Sequence, residues 1–325
     1  MPGRFSAARS ALIPGRFAAA RSGSMPVGVA TARSASMPGR FSAARWERAY
    51  RRVVRTAFGR VPFYRDQWAA AGRALDEPEA TPSAALAGQL HRLCPFALPF
   101  DASQEPSLWI GDGRELRDVL ALTGAPRRTP VLEVRPAMLD RRTLTLAGPR
   151  YGVLLAPDAR VVDEDRRHAL NAAAHELASR AGRAIVVGER SALDAILPEL
   201  DGVQAHTVER MTVALAVRDT RLGDAPGARP GDVQDARRGD ARGVRAVVVH
   251  DPHLGYFAGV HPACGRIHLL WRRFHARPAG RAVAVTALRR RRPVLVGVVP
   301  DGAEALDTLI TAGCPEHGTP ILSTH

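Results

Sequence analysis

From residue 150 onward the chain alternates short apolar runs with polar, periodic stretches. Tyr151-Gly-Val-Leu-Leu-Ala156 and Ala184-Ile-Val-Val-Gly188 are continuous apolar runs of strand length. Between them, Asp163 to Ala181 has helical character. Asp163 suits an N-cap, acids follow in the first turn, and Gly182 suits a stop. Ser191 to Leu200 predicts a second helix. This βαβα alternation predicts an α/β layer with parallel strands. Further strands are expected at Arg245–His250, Arg281–Leu288 and Pro293–Val299, the last two flanking a turn at Arg289–Arg292. Nearer the start, Tyr50, Val53, Val54 and Phe58 recur at helical spacing, which predicts an amphipathic helix over 46–58. Arg60-Val-Pro-Phe-Tyr-Arg65 reads as an extended clasp, with a helical turn starting at Asp66. Thr81-Pro-Ser83 can open a helix running to Leu90.

Two segments break the pattern. Residues 1–45 are a degenerate repeat: Met1 to Arg9 returns at Ile13–Arg21, decays at Met25–Arg33 and returns at Met37–Arg45. It resembles a transit peptide in being rich in Ser, Ala and Arg and free of acids, but it has no apolar core for secretion. It is expected to be disordered, or to precede the true translation start. The folded domain is expected over 46–325. Within it, residues 218–243 are rich in Asp, Arg, Gly and Pro and predict a mobile loop.

Composition changes the picture in one respect. All 46 basic residues are arginine, and no lysine occurs in the 325-residue chain. A Walker-type phosphate loop and Schiff-base chemistry are therefore excluded, since each needs a lysine. Half of the formal net charge of +14 comes from seven arginines in residues 1–45, so nucleic-acid binding is a weak inference. With 46% hydrophobic residues the chain can bury a core, yet no run of about 18 apolar residues predicts a membrane span. Cys94, Cys264 and Cys314 are too few for a disulfide framework, which fits a cytoplasmic location.

The sharpest candidate chemistry is a pair of short Cys/His spacings. Cys264-Gly-Arg-Ile-His268 and Cys314-Pro-Glu-His317 offer two thiolates and two imidazoles, the donor set of a structural zinc site. The competing reading makes Cys264 a small core residue and His317 a loop residue. Cys94 is expected in the core. Leu122-Thr-Gly-Ala-Pro126, followed by Arg127 and Arg128, is either a plain turn or a phosphate contact. Asp301 follows an apolar strand, where it is either a turn residue or a partner for a ribose hydroxyl. No acid/base dyad or hydrolase triad is legible, so catalytic residues are unknown.

Several of these pieces, in this order, resemble the phenylacetate–coenzyme A ligase branch of the adenylate-forming enzymes. Val61 to Arg65 is similar to that family's Val-Pro-(Phe/Tyr)-Tyr-Arg clasp. Thr123, Gly124 and Pro126 match the end of its phosphate loop, whose earlier positions are Val119, Leu120, Ala121 and Leu122 here. Asp251-Pro-His-Leu-Gly255, through Cys264 to His268, resembles its Glu–Cys–His region, with Asp251 or His253 near the missing glutamate. Thr286-Ala-Leu288 and Pro293–Asp301 resemble the block that ends on the ribose-binding aspartate. Cys314-Pro-Glu-His317 resembles a Cys-rich loop that completes a zinc site in some members.

The resemblance implies the large domain of an adenylate-forming enzyme, layered α/β with a distorted C-terminal barrel, and without the lysine-bearing lid. It implies ATP or AMP contacts at Thr123, Gly124 and Asp301, and zinc at Cys264, His268, Cys314 and His317. The expected function is a degenerate carboxylate-activating, acid–thiol ligase-like protein with weak or partner-dependent adenylation. The alternative is a non-catalytic protein that binds a nucleotide, an acyl group or a carrier protein. Expected partners are a carboxylic acid or acyl group and a lid-bearing or carrier chain, with no membrane.

Overall fold

The computed structural model describes residues 40–97, 113–138, 150–161, 163–223, 246–305 and 309–324. Residues 1–39 and 224–245, which hold most of the repeat and of the expected loop, lie outside the described residues.

Chain order gives α1 (Ala43–Arg60), α2 (Pro62–Ala70), β1 (Thr81–Pro82), α3 (Gly113–Leu122), β2 (Val131–Met138), β3 (Tyr151–Val161) and α4 (Glu164–Ala181). Then come β4 (Arg183–Gly188), α5 (Arg190–Ile196), β5 (Gln204–Met211), α6 (Val213–Gly223), β6 (Ala246–Asp251), β7 (Gly255–Val260) and β8 (Ile267–Leu269). The remaining strands are β9 (Phe274–Ala279), β10 (Ala282–Ala287), β11 (Val298–Val299), β12 (Leu309–Gly313) and β13 (Pro320–Thr324).

These strands form a nine-stranded mixed sheet in the order β12-β13-β8-β7-β6-β5-β4-β2-β3. From β3 to β6 the neighbours are parallel, and from β6 to β12 they are antiparallel. The parallel half explains the continuous apolar runs: β4 is buried on both faces. Its Ala184 and Val186 pack with α4 and α5 residues Ala174, Ala178, Leu193 and Ile196. Its Ile185 and Val187 join the main core on the other face, with Val119 and Leu120 of α3 and Val217 of α6. Helix α4 begins and ends where its sequence says. The Asp163 carboxylate accepts the Arg166 N–H, and Gly182 takes φ +63° at the stop.

A second sheet of four strands, β1-β11-β10-β9, is built mainly from the C-terminal part. The chain thus divides its late strands between two sheets, with β12 and β13 returning to the large one. Strand β12 also lies against β9 and β10 of the small sheet.

Several expectations shift. The clasp at 60–65 is extended only at Val61; Pro62 starts α2, because its fixed φ and missing N–H suit the first helical position. The helix expected from Thr81 is a 3₁₀ turn, Ser83–Leu86, after a two-residue strand. Of the strand expected at 293–299 only Val298 and Val299 pair. Helix α6 runs to Gly223, past the expected loop start at 218. At the front, α1 begins inside the repeat at Ala43, and Phe41 meets Trp46 and Trp271 edge-on at 5.6 and 5.4 Å. The fold therefore starts before residue 46. Strands β3 and β4 are parallel but not neighbours, since β2 lies between them.

Candidate functional site

The two Cys/His pairs come together. Cys264 lies in the β7–β8 turn, which His261 N–H···O=C Arg266 and Gly265 N–H···O=C His261 close at 2.9 Å each. Gly265 takes φ +67°, which a side chain would resist. His268 stands on β8. Cys314 and His317 lie in the β12–β13 turn, closed by Cys314 N–H to Thr319 O at 2.9 Å and Gly318 N–H to Cys314 O at 2.7 Å. Strands β8 and β13 pair directly, with Ile321 opposite His268, so sheet register carries one turn to the other.

One donor atom from each of Cys264, His268, Cys314 and His317 lies within 4.8 Å of all the others. Cys264 Sγ is 3.1 Å from His268 Nε2, and Cys314 Sγ is 3.4 Å from His317 Nδ1. A tetrahedral ion with Cys and His ligands sets its donors ~3.3–3.8 Å apart, so the four residues fit one with small adjustments. His268 Nδ1 lies 2.9 Å from Thr319 Oγ1. When Nδ1–H donates to that hydroxyl, Nε2 keeps its lone pair for a metal. Burial pushes the His268 imidazole down to about 4, helped by neighbouring His261 and His317. Burial likewise raises the Cys264 thiol, with Cys314 adding to it. The imidazole is thus already deprotonated near neutral pH, while metal binding must drive the proton off Cys264. His261 escaped the sequence reading. It is buried, its ring lies 4.3 Å from that of His317, and its Nδ1 accepts the Ala263 N–H.

A second cluster lies where the two sheets meet. Asp251 ends β6; its Oδ1 accepts the N–H of His253 and Leu254 at 2.9 and 2.8 Å and the Ser83 hydroxyl at 2.8 Å. Its Oδ2 accepts the Asp301 N–H at 2.8 Å. Asp301 itself follows β11 and is exposed. Arg290 donates to the His253 carbonyl at 2.7 Å and holds Glu115 of α3 through both carboxylate oxygens.

Thr123 and Gly124 are elsewhere. They end α3: the Thr123 hydroxyl is buried and donates to Leu120 O at 3.1 Å, and Gly124 takes φ +76°. A Cβ on Gly124 would sit 3.3 Å from Pro262, in the turn that carries Cys264. Val119, Leu120 and Leu122, which stand where the resemblance has small polar residues, are buried in the core.

A third buried cluster gave no sequence signal, because its members are spread over four strands. Glu133 on β2 accepts from Arg135 (Nη2 at 3.0 Å), from the Tyr151 hydroxyl and from the Tyr256 hydroxyl at 2.7 Å. Burial raises its carboxyl, but Arg135 and the other donors win and hold it below the usual range. Arg210 on β5 donates to Val134 O at 3.0 Å and pairs with Glu189 at 3.3 Å. These charges are paired and hydrogen-bonded, as buried charges must be.

Among the described residues no helix is long and apolar enough to cross a membrane. No protein-family model matches the chain, and no curated protein sequence matches it either.

Proposed function

We propose that this protein descends from the adenylate-forming enzymes, carries one structural zinc, and binds an adenosine nucleotide beside Asp301. The observation that carries the nucleotide reading is the hydrogen bond from Asp301 N–H to Asp251 Oδ2. The resemblance gives Asp301 to the ribose and puts Asp251 near the family's acidic metal or nucleotide contact, and this bond brings the two segments, 50 residues apart in sequence, together. The zinc reading draws on the donor set: two thiolates and two imidazoles suit zinc, and four protein ligands leave no open coordination position. That makes the ion a staple between two hairpins rather than a reaction centre.

Chemistry on the isolated chain is slow in this reading. Adenylation needs cationic stabilisation of the α-phosphate, and the chain has no lysine to give it. The Thr123 hydroxyl is already committed to a carbonyl, which leaves the phosphates without that contact. This favours nucleotide or acyl binding, with carboxylate activation weak or completed by a lid-bearing partner.

Calorimetric titration with AMP and ATP tests the binding. Weak AMP binding that disappears in Asp301→Ala is the expected result. Pyrophosphate exchange over a panel of carboxylic acids tests the chemistry, and turnover of about one per second, the lower end of ordinary enzymes, would overturn the slow-enzyme reading.

A further inference from the structure

We propose that the outer face of α1 grips the phosphate backbone of double-stranded nucleic acid without reading its sequence. This inference stands apart from the nucleotide and zinc readings. The argument starts from where the charge lies. Residues 1–60 hold twelve arginines and one acid, Glu47, so they carry +11 of the chain's +14. Residues 61–325 set 34 arginines against 31 acids. A general preference for arginine would spread along the chain; an excess confined to one end calls for a partner of opposite charge.

The structure turns part of that excess into a surface. Arg45, Arg48, Arg52 and Arg55 follow one another at intervals of three, four and three residues, which sets them on one face of α1. All four are exposed. The stripe is about 15 Å long, ten residues at the helical rise. Among the described residues none of the four makes an ion pair. Glu47, the only acid of α1, is taken by Arg51 at 2.9 Å and lies 3.2 Å from His275. Asp66 of α2 is taken by Arg92 at 2.6 Å.

Local stability does not account for the stripe. Like charges three and four residues apart repel, and cations in a first turn oppose the helix dipole. Arg45 stands in the first turn of α1, which holds no acid, and the Ser42 side chain makes no capping hydrogen bond. Such a break in local consistency points to function.

The occupant follows from what flanks the arginines. Helix α1 spends its apolar side, Tyr50, Val54, Ala57 and Phe58, in the core. A helix lying in a membrane surface needs that side free. Gripping single strands calls for exposed rings on which bases stack. Trp46 instead packs against the core and donates its Nε1–H to Phe274 O at 2.8 Å. What remains is a row of guanidinium forks, each able to take two phosphate oxygens. A duplex offers a dense row of phosphates, one charge per ~1.7 Å of axis.

The test titrates the full chain against a short fluorescent DNA duplex between ~50 and ~200 mM salt. Arg45→Gln, Arg48→Gln, Arg52→Gln and Arg55→Gln together should weaken binding by about tenfold or more at the lower salt. They should also flatten the log–log salt dependence by about three to four in slope. Changing only the first two or only the last two should give about half that change in slope. The α1 variants should melt no lower than wild type, since like-charge crowding is relieved. Arg150→Gln, Arg160→Gln, Arg183→Gln and Arg281→Gln together remove the same charge elsewhere and should leave the slope within about one of wild type. No wild-type binding at the lower salt, or an equal loss in both four-arginine variants, overturns the proposal. So does tighter binding to single-stranded DNA, or to phosphatidylserine vesicles, than to the duplex.

Discussion

His275 shows how one buried titratable residue sets a pH response. Its ring stacks on Tyr50 at 4.2 Å and leans on Trp46 at 4.1 Å, and its Nε2 lies 3.2 Å from Glu47. Burial pushes it down to about 4; Glu47 pulls it up and Arg277 pushes it down. Proximity to Glu47 suggests an ion pair, but burial dominates, so the ring is neutral with Nε2–H donating. The unfolded chain gains a proton near pH 6.5, whereas the folded chain refuses it until about 4. Stability is therefore present above about pH 6.5 and falls as pH drops through that window, by no more than about 3 kcal/mol from this residue. His275→Phe keeps the stack and removes the titration. Denaturant midpoints between those two pH values should then fall less steeply than in wild type; an unchanged slope contradicts the assignment. At this scale the sequence was legible only where residues sit close together. Cys264 with His268 and Cys314 with His317 could be read as pairs, because only four and three positions separate their members. Glu133, Arg135, Tyr151, Arg210 and Tyr256 could not, because nothing local shows that four strands bring them into one cluster. Ser83 likewise gave no sign that it bridges Asp251 and His253.

Among the elements, α4 was legible almost to the residue because its signals are local: an N-cap at Asp163, acids behind it and Gly182 at the stop. Asp163→Ala should cost about 1 kcal/mol, since it removes the acceptor for the Arg166 N–H. Helix α2 was misread because Pro62 after Val61 serves an extended clasp and a helix start equally well by sequence; only the following turns decide it. Gly259 on β7 marks a close approach that no local pattern announces. A Cβ there would meet Val119 Cγ2 at 2.8 Å and Thr123 Cγ2 at 3.2 Å. Helix α3 lies that close to the sheet. Gly259→Ala must push α3 away and should destabilise by about 1–3 kcal/mol. Unchanged unfolding midpoints in urea would show that α3 can slide freely.

At the scale of the molecule, the parallel half of the large sheet followed from its βαβα pattern, but strand order did not. The insertion of β2 between β3 and β4, and the return of β12 and β13 to the large sheet, depend on contacts across the whole chain. That return matters for the site, because pairing of β13 with β8 is what carries Cys314 and His317 to Cys264 and His268. A bound zinc would lock the C-terminal hairpin to the edge of the central sheet, and its binding energy would add to folding stability. Elemental analysis of the purified protein measures this most directly, with Cys264→Ser as its control. The expected result is about one zinc per chain in the wild type, with both the metal and several degrees of melting temperature lost in Cys264→Ser. A wild-type protein that folds and melts cooperatively without any bound metal would contradict it.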